Sequence, residues 1–153
     1  MSERKTEKIV RDFLEKSNFF EKEGNVKVEE QTSDFTNINK LLKGASKSGK
    51  GSGYPEFIIS SKAFPQFLII IECKAKLKFH VSQKQNNPKD YNVDGVIHYS
   101  KFLSKDFNVI SFAVTGTNSK NLLISFFIQK KGKTFTPLKN SVGKKILNIL
   151  PFD

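Results

Sequence analysis

The sequence predicts an α/β domain with a mixed central sheet flanked by helices, and three observations lead there. Phe67 to Ile71 is apolar at every position, and a strand apolar on both sides belongs in the middle of a sheet covered on both faces. The stretch from Asn92 to Ser104 carries Val93, Val96, Ile97, Ser100 and Leu103 on one side at helical spacing, which marks a helix. That helix falls between the apolar strand and two further strand-like runs, as a crossover between strands of one sheet does.

In chain order, residues 3–18 read as an amphipathic helix with Ile9, Val10, Phe13 and Leu14 at helical spacing, closed by Asn18 and the pair Phe19 and Phe20. Residues 24–30 alternate, with Val26 and Val28 on one face, and read as a short strand. Ile38, Leu41 and Leu42 predict a second short helix, with Asp34 or Thr36 as its cap. Residues 43–53 contain four glycines and no apolar side chain larger than Ala45, so they form a loop. Two strands follow, over 54–60 and 67–75, joined by a connection that contains Pro65. Residues 83–89 are polar and irregular. After the helix over 92–104, strands are expected at 108–115 and 122–130. Residues 134–138 suit an edge strand, because Pro137 cannot donate to a central ladder. Residues 1–140 are thus one domain, and 141–153 a C-terminal helix or connector.

A chain of 153 residues with 37% hydrophobic residues can bury one core of ordinary size. The excess of 26 Lys and Arg over 15 Asp and Glu gives a net charge of +11, which attracts polyanions, nucleic acid first among them. Arg4 and Arg11 are the only arginines. Lysine neutralises phosphate as a point charge and lacks the fork that reads guanine edges, so the balance favours backbone contact over base readout. The plainer reading of the same lysines is a solvated surface. A single cysteine, Cys73, excludes an internal disulfide and a cysteine-based zinc site. The charged N-terminus is not a secretory signal, and no apolar run is long enough to cross a bilayer. These features suit a cytoplasmic domain without a membrane partner.

The chemistry-bearing residues cluster around the apolar strand. Side chains alternate along a strand, so Leu68, Ile70, Glu72 and Lys74 share one face, and Ile69, Ile71, Cys73 and Ala75 the other. Opposite charges at the end of an apolar strand need a reason, since burying charge is costly. A salt bridge is one; a metal site is a better one. Glu56 follows Pro55 at the start of the preceding strand. If the two strands form a hairpin, that start lies beside the end of the second, and Glu56 meets Glu72 and Lys74. Two carboxylates with open positions suit Mg²⁺ or Mn²⁺. Lys74 would hold or deprotonate an attacking water, or offset charge on phosphorus.

Pro55-Glu56, a gap of 15 residues, and Glu72-Cys73-Lys74 resemble the PD-(D/E)xK motif of restriction-endonuclease-like nucleases. With Gly51 to Ile59, Leu68 to Ala75 and Tyr91 to Phe102 around it, the chain is similar over residues 3–130 to the N-terminal nuclease domain of type I restriction subunits and of type IIG restriction–modification enzymes. The resemblance implies an αβββαβ core, Mg²⁺- or Mn²⁺-dependent hydrolysis of DNA, and metal ligation by Glu56, Glu72 and the Cys73 backbone carbonyl. It also implies a fused or partner methyltransferase or specificity domain; no methyltransferase motif occurs in the chain. Cutting both strands calls for two sites, hence a dimer during cleavage. The first acid is Glu56 where the pattern usually has Asp, which sets the carboxylate one methylene further out.

In such nucleases an acid of the first helix often joins the metal, and Glu7, in register with Val10 and Leu14, matches best; the plainer reading is an acid favoured by the helix dipole. Asp94, His98 and Lys101 share a face of the helix after the motif. The first two are accessory candidates, against a solvated face as the plainer reading. Tyr91 and Tyr99 read as core or rim packing, and His80 as a surface residue. The segment Gly44-Ala-Ser-Lys-Ser-Gly-Lys-Gly51 nearly matches a nucleotide-binding loop but has Gly51 in place of the Ser or Thr that holds Mg²⁺, and a strand follows it where a helix should. Lys43, Lys47 and Lys50 therefore read as a clamp on DNA phosphates, with Gln83 a further DNA contact. Two other functions stay open: a nuclease-like DNA-binding module without catalysis, and a protein-interaction module with a basic surface.

Overall fold

The computed structural model describes residues 2–19 and 24–137. Phe20 and the C-terminal segment 141–153 lie outside the described residues. The elements run α1 (Arg4–Lys16), β1 (Val26–Glu29), α2 (Thr36–Leu42), β2 (Phe57–Ser61), β3 (Phe67–Lys74), a 3₁₀ turn (Leu77–Phe79), α3 (Asn92–Leu103), β4 (Asn108–Thr115), β5 (Leu123–Gln129) and β6 (Phe135–Pro137). The molecule is mixed α/β, as the patterning predicts.

One six-stranded sheet holds the strands in chain order, β1-β2-β3-β4-β5-β6. Neighbours are antiparallel except β3 and β4, which run parallel with Phe67 opposite Asn108 and Lys74 opposite Thr115. Parallel neighbours need a crossover, and α3 supplies it. The β2–β3 hairpin pairs Phe57 with Ile71, so Glu56 lies just beyond the ladder, beside the C-terminal end of β3.

The alternation along β3 sorts the core into two layers. Leu68 and Ile70 pack with Ile58 and Val109 under Ile38 and Leu42 of α2 and Tyr99 and Leu103 of α3. Val93, Val96 and Ile97 of α3 carry that layer on over Ala113 and Phe127. Ile71 and Cys73 face the other way, with Phe57, Ile59 and Val114, against Val10 and Leu14 of α1. Helices cover both faces of β3, which accounts for its unbroken apolar run. Each fully buried aliphatic side chain contributes about 1.5 to 3 kcal/mol of transfer free energy.

Element ends follow local chemistry, with two corrections: the strand expected from residue 54 begins at Phe57, which leaves Glu56 just before β2, and the cap of α2 differs. Asn18 adopts φ 60, and the Asn18 and Phe19 amides return to the carbonyls of Glu15 and Leu14 at 3.1 and 3.0 Å, which stops α1 at the residue the sequence marks. The cap of α2 is Phe35, without a side-chain cap bond, and neither Asp34 nor Thr36 serves. Asp34 is drawn off by an ion pair with Lys27. Ser33 organises the entry instead: its Oγ accepts the Phe35 amide at 3.0 Å.

Candidate active site

Glu72 is wholly buried, at 0% exposure, beneath α3. It lies there because β3 carries it on the α3-facing side in register with Ile70, and because α3 has a glycine overhead. A methyl group on Gly95 would come within 3.4 Å of Glu72 Oε2 and 3.5 Å of Lys47 Cδ. Glycine inside a helix costs about 1 kcal/mol relative to alanine; at this position it leaves room for a carboxylate and a lysine stem.

Glu56 reaches the same place from β2. Its Oε2 accepts the Cys73 amide at 3.4 Å. In a strand the N–H and C=O of one residue point to the same edge, so the Cys73 carbonyl turns toward Glu56 as well. Burial first, then the Glu72 carboxylate beside it, push the Glu56 carboxyl up to about 10, with Lys47 pulling the other way. Glu56 is therefore protonated at neutral pH unless a cation replaces the proton. Across the pair, no N–H or hydroxyl group reaches the buried Glu72 Oε1, and the Glu56 carboxyl hydrogen-bonds the Glu72 carboxylate. Two buried carboxyl groups that share one proton against their ordinary tendency offer a place a cation could take instead of that proton.

The structure brings Glu56 and Glu72 together as the spacing predicts, but it separates Lys74 from them. The Lys74 ammonium pairs with Glu3 Oε1 at 2.8 Å. Glu72 takes a different lysine: Lys47 Nζ lies 2.5 Å from Glu72 Oε2 and 5.3 Å from the centre of the Tyr99 ring. Burial would lower Lys47, yet Glu72 above all, with Tyr99 and Glu56, holds its ammonium above the usual lysine range. The Tyr99 hydroxyl is pushed up to about 12, by burial first and then by Glu72. The reading of Lys47 as an outward phosphate clamp is thus corrected. Lys43, Lys50 and Gln83 are exposed and remain available for outside contacts.

The acid of the first helix also differs from expectation. The buried stripe of α1 is Thr6, Val10 and Leu14, with Glu7 beside it and half-buried. Thr6 Oγ1 donates to the Gly116 carbonyl at 2.7 Å and toward the Lys74 carbonyl at 3.3 Å, which docks the start of α1 on the ends of β3 and β4. Glu3, one turn before Glu7, is therefore the acid that meets Lys74. Among the described residues no three of His, Cys, Asp and Glu converge to hold a metal, so Glu7 does not complete a cluster. A cation at the pair could draw on two carboxylates and a backbone carbonyl. A cleft of about 190 Å³ adjoins Lys74, lined by Glu3, Lys76, Phe79, Lys89 and Asp90 among others; neither acid of the pair lines it.

The accessory candidates have structural work. Asp94 is buried and accepts the Ser82 and Asn87 amides at 3.1 and 2.8 Å, together with the Ser82 hydroxyl. It ties the 82–87 connection to the first turn of α3. His98 Nε2 bonds the Ala45 carbonyl at 3.1 Å; a carbonyl only accepts, so that nitrogen carries the proton. His98 thereby anchors the loop that delivers Lys47. His80 is buried rather than superficial, with Nδ1 2.8 Å from Thr115 Oγ1 and Nε2 2.8 Å from Ser125 Oγ. The sequence did hold signals for what was missed: a glycine in the interior of α3, and an acid at the very start of α1.

Cys73 completes the surroundings. Its thiol is pushed up by burial, then by Glu56, Glu72, Glu7 and Glu3, so it is an inert thiol and not a nucleophile. Among the described residues no helix is long and apolar enough to cross a membrane. In comparisons with known proteins, the chain matches no protein-family model, no curated protein and no solved structure.

Proposed function

We propose that this chain is a metal-dependent nuclease domain that hydrolyses DNA phosphodiester bonds, as the likeness of its motif to restriction-endonuclease-like enzymes suggests. The observation that carries the reading is the Glu56–Glu72 pair at the end of the central strand, with Glu72 wholly buried, Glu56 on the Cys73 amide, and the two carboxyl groups sharing a proton. The order α1, β1, β2, β3, α3, β4, with α2 inserted, is compatible with the αβββαβ core of those enzymes.

Glu56, Glu72 and the Cys73 carbonyl would hold Mg²⁺ or Mn²⁺. Bound there, the cation would supply Lewis-acid polarisation of the phosphate and acidify a water. Deprotonated Glu56 and Glu72 fix the cation's place on two adjacent strands. Lys74, half-buried at the strand end, is the ammonium nearest along the backbone for a phosphate oxygen or the attacking water, once it leaves Glu3. The excess positive charge draws DNA along its backbone. A methyltransferase or specificity partner and a dimer during cleavage belong to the same reading.

A second reading has its own observation. Lys47 neutralises Glu72 directly while Lys74 is held by Glu3, the arrangement expected of a nuclease-like module that binds DNA without cutting it. Cleavage of supercoiled plasmid in Mg²⁺ or Mn²⁺ separates the two. Nicking or linearisation by the wild type, lost in Glu72→Ala and Lys74→Ala, is the expected result. DNA binding with no cleavage and no metal uptake would support the second reading.

A further inference from the structure

We infer that Lys47 is a built-in cation of the acid pair, and that the glycine-rich loop bearing it is a gate through which a divalent metal displaces that ammonium. This rests on the metal-binding reading of Glu56 and Glu72 and adds a device to it.

The geometry of the loop carries the inference. Its ends are fastened. The Ala45 and Gly53 amides both donate to the Leu42 carbonyl, at 2.9 and 2.8 Å, and His98 holds the Ala45 carbonyl. Gly53 is pressed so closely that a Cβ there would lie 2.5 Å from Tyr99 Cε1 and 2.6 Å from the Ala45 carbonyl oxygen. The tip between these anchors is bonded mainly to itself. The Ser46 amide reaches the Gly51 carbonyl at 3.0 Å, and the Gly49 amide reaches the Ser46 carbonyl at 3.3 Å. Gly49 and Gly51 adopt φ +115 and +108, and a Cβ on either would meet nothing within 4 Å. Ser48, Gly49, Lys50 and Gly51 are exposed. Lys47 is the side chain that runs from this tip into the body of the fold, past Gly95 and over the Tyr99 ring, to Glu72.

The charge arithmetic points the same way. One ammonium faces two carboxyl groups: it bonds Glu72 Oε2 alone, and no N–H or hydroxyl group reaches Glu72 Oε1, which is left to the Glu56 carboxyl. A divalent ion between the acids would satisfy both, and its charge would repel an ammonium 2.5 Å from the same carboxylate. Lys47 must then withdraw. A tip tethered to the body through one side chain, between two fixed ends, can swing without disturbing α2 or β2. The apparent metal affinity is reduced by the fraction of molecules in which the loop is open.

The test uses the full chain after chelation, with Mn²⁺ alone as the probe, at fixed pH. Lys47→Met keeps the stem over Tyr99 and removes the charge. Its Mn²⁺ affinity by calorimetry should exceed that of the wild type by about tenfold or more. Equal or weaker binding by Lys47→Met, while the wild type binds Mn²⁺ and cuts plasmid, would overturn the gate and leave the nuclease reading standing. No Mn²⁺ uptake by either protein would overturn both. Should Lys47→Met fail to fold, amide hydrogen exchange of the wild type decides. Saturating Mn²⁺ should speed exchange across residues 46–52 at least threefold, and unchanged or slower exchange there would refute displacement.

Discussion

Glu56→Gln is the perturbation that bears most directly on the paired acids. The wild-type carboxyl titrates near 4.5 when unfolded and is pushed up to about 10 in the fold, by burial and then by Glu72. The folded state therefore holds its proton more tightly than the unfolded chain does. The resulting stability is fully present below pH 4.5 and is lost as pH climbs toward 10. Each pH unit in that window removes about 1.4 kcal/mol at most, so raising the pH from 5 to 8 removes at most about 4 kcal/mol. The partial solvent access of Glu56 reduces this to about 1 to 2 kcal/mol. For a domain of this size that is a fall of about 3 to 6 °C in Tm. Glutamine keeps the shape and cannot titrate. Thermal unfolding followed by circular dichroism, in chelator, at pH 5 and pH 8, should show the wild type losing those degrees relative to Glu56→Gln. Mn²⁺ at pH 8 should return them to the wild type, since a ligand that binds only the folded state raises its stability. A Tm gap between the two proteins that is the same at both pH values would refute the argument that Glu56 and Glu72 crowd each other.

Other expectations follow from particular contacts. Lys74→Ala should lower plasmid cleavage by about 100-fold or more while leaving the circular dichroism spectrum and DNA affinity near wild type; cleavage that survives would move the reactive lysine elsewhere. DNA affinity should fall with salt, and Lys43→Ala and Lys50→Ala should each reduce the log–log salt slope by about 1 in a fluorescence titration. An unchanged slope would remove those exposed lysines from the interface. Asp94→Ala strands the Ser82 and Asn87 amides that its carboxylate accepts and should cost about 1 to 3 kcal/mol in urea unfolding. Ile70→Ala empties a fully buried position under α2 and α3 and should cost about 2 to 5 kcal/mol by the same measurement.

The sequence alone determined the elements, the order of the chain and the meeting of Glu56 with Glu72. Each is a consequence of short-range pattern. Alternation along β3 assigns Ile70 and Glu72 to one face, apolar spacing along α3 marks the crossover, and hairpin register brings the start of β2 to the end of β3. Periodicity and strand reversal need no knowledge of distant partners. The tertiary structure decided which cation each acid takes. Lys47 reaches Glu72 across 25 residues, and Lys74 reaches Glu3 across 71. Both lysines have four-carbon stems that can point several ways, and both partners come from segments whose place is set by packing elsewhere. For Lys47 the decisive features are the anchors at Ala45 and Gly53 and the absent side chain at Gly95; for Lys74, the docking of Thr6 on the Gly116 carbonyl. A long side chain at the end of an element pairs with whatever charge the fold sets down beside it, and that is known only after the layers have packed.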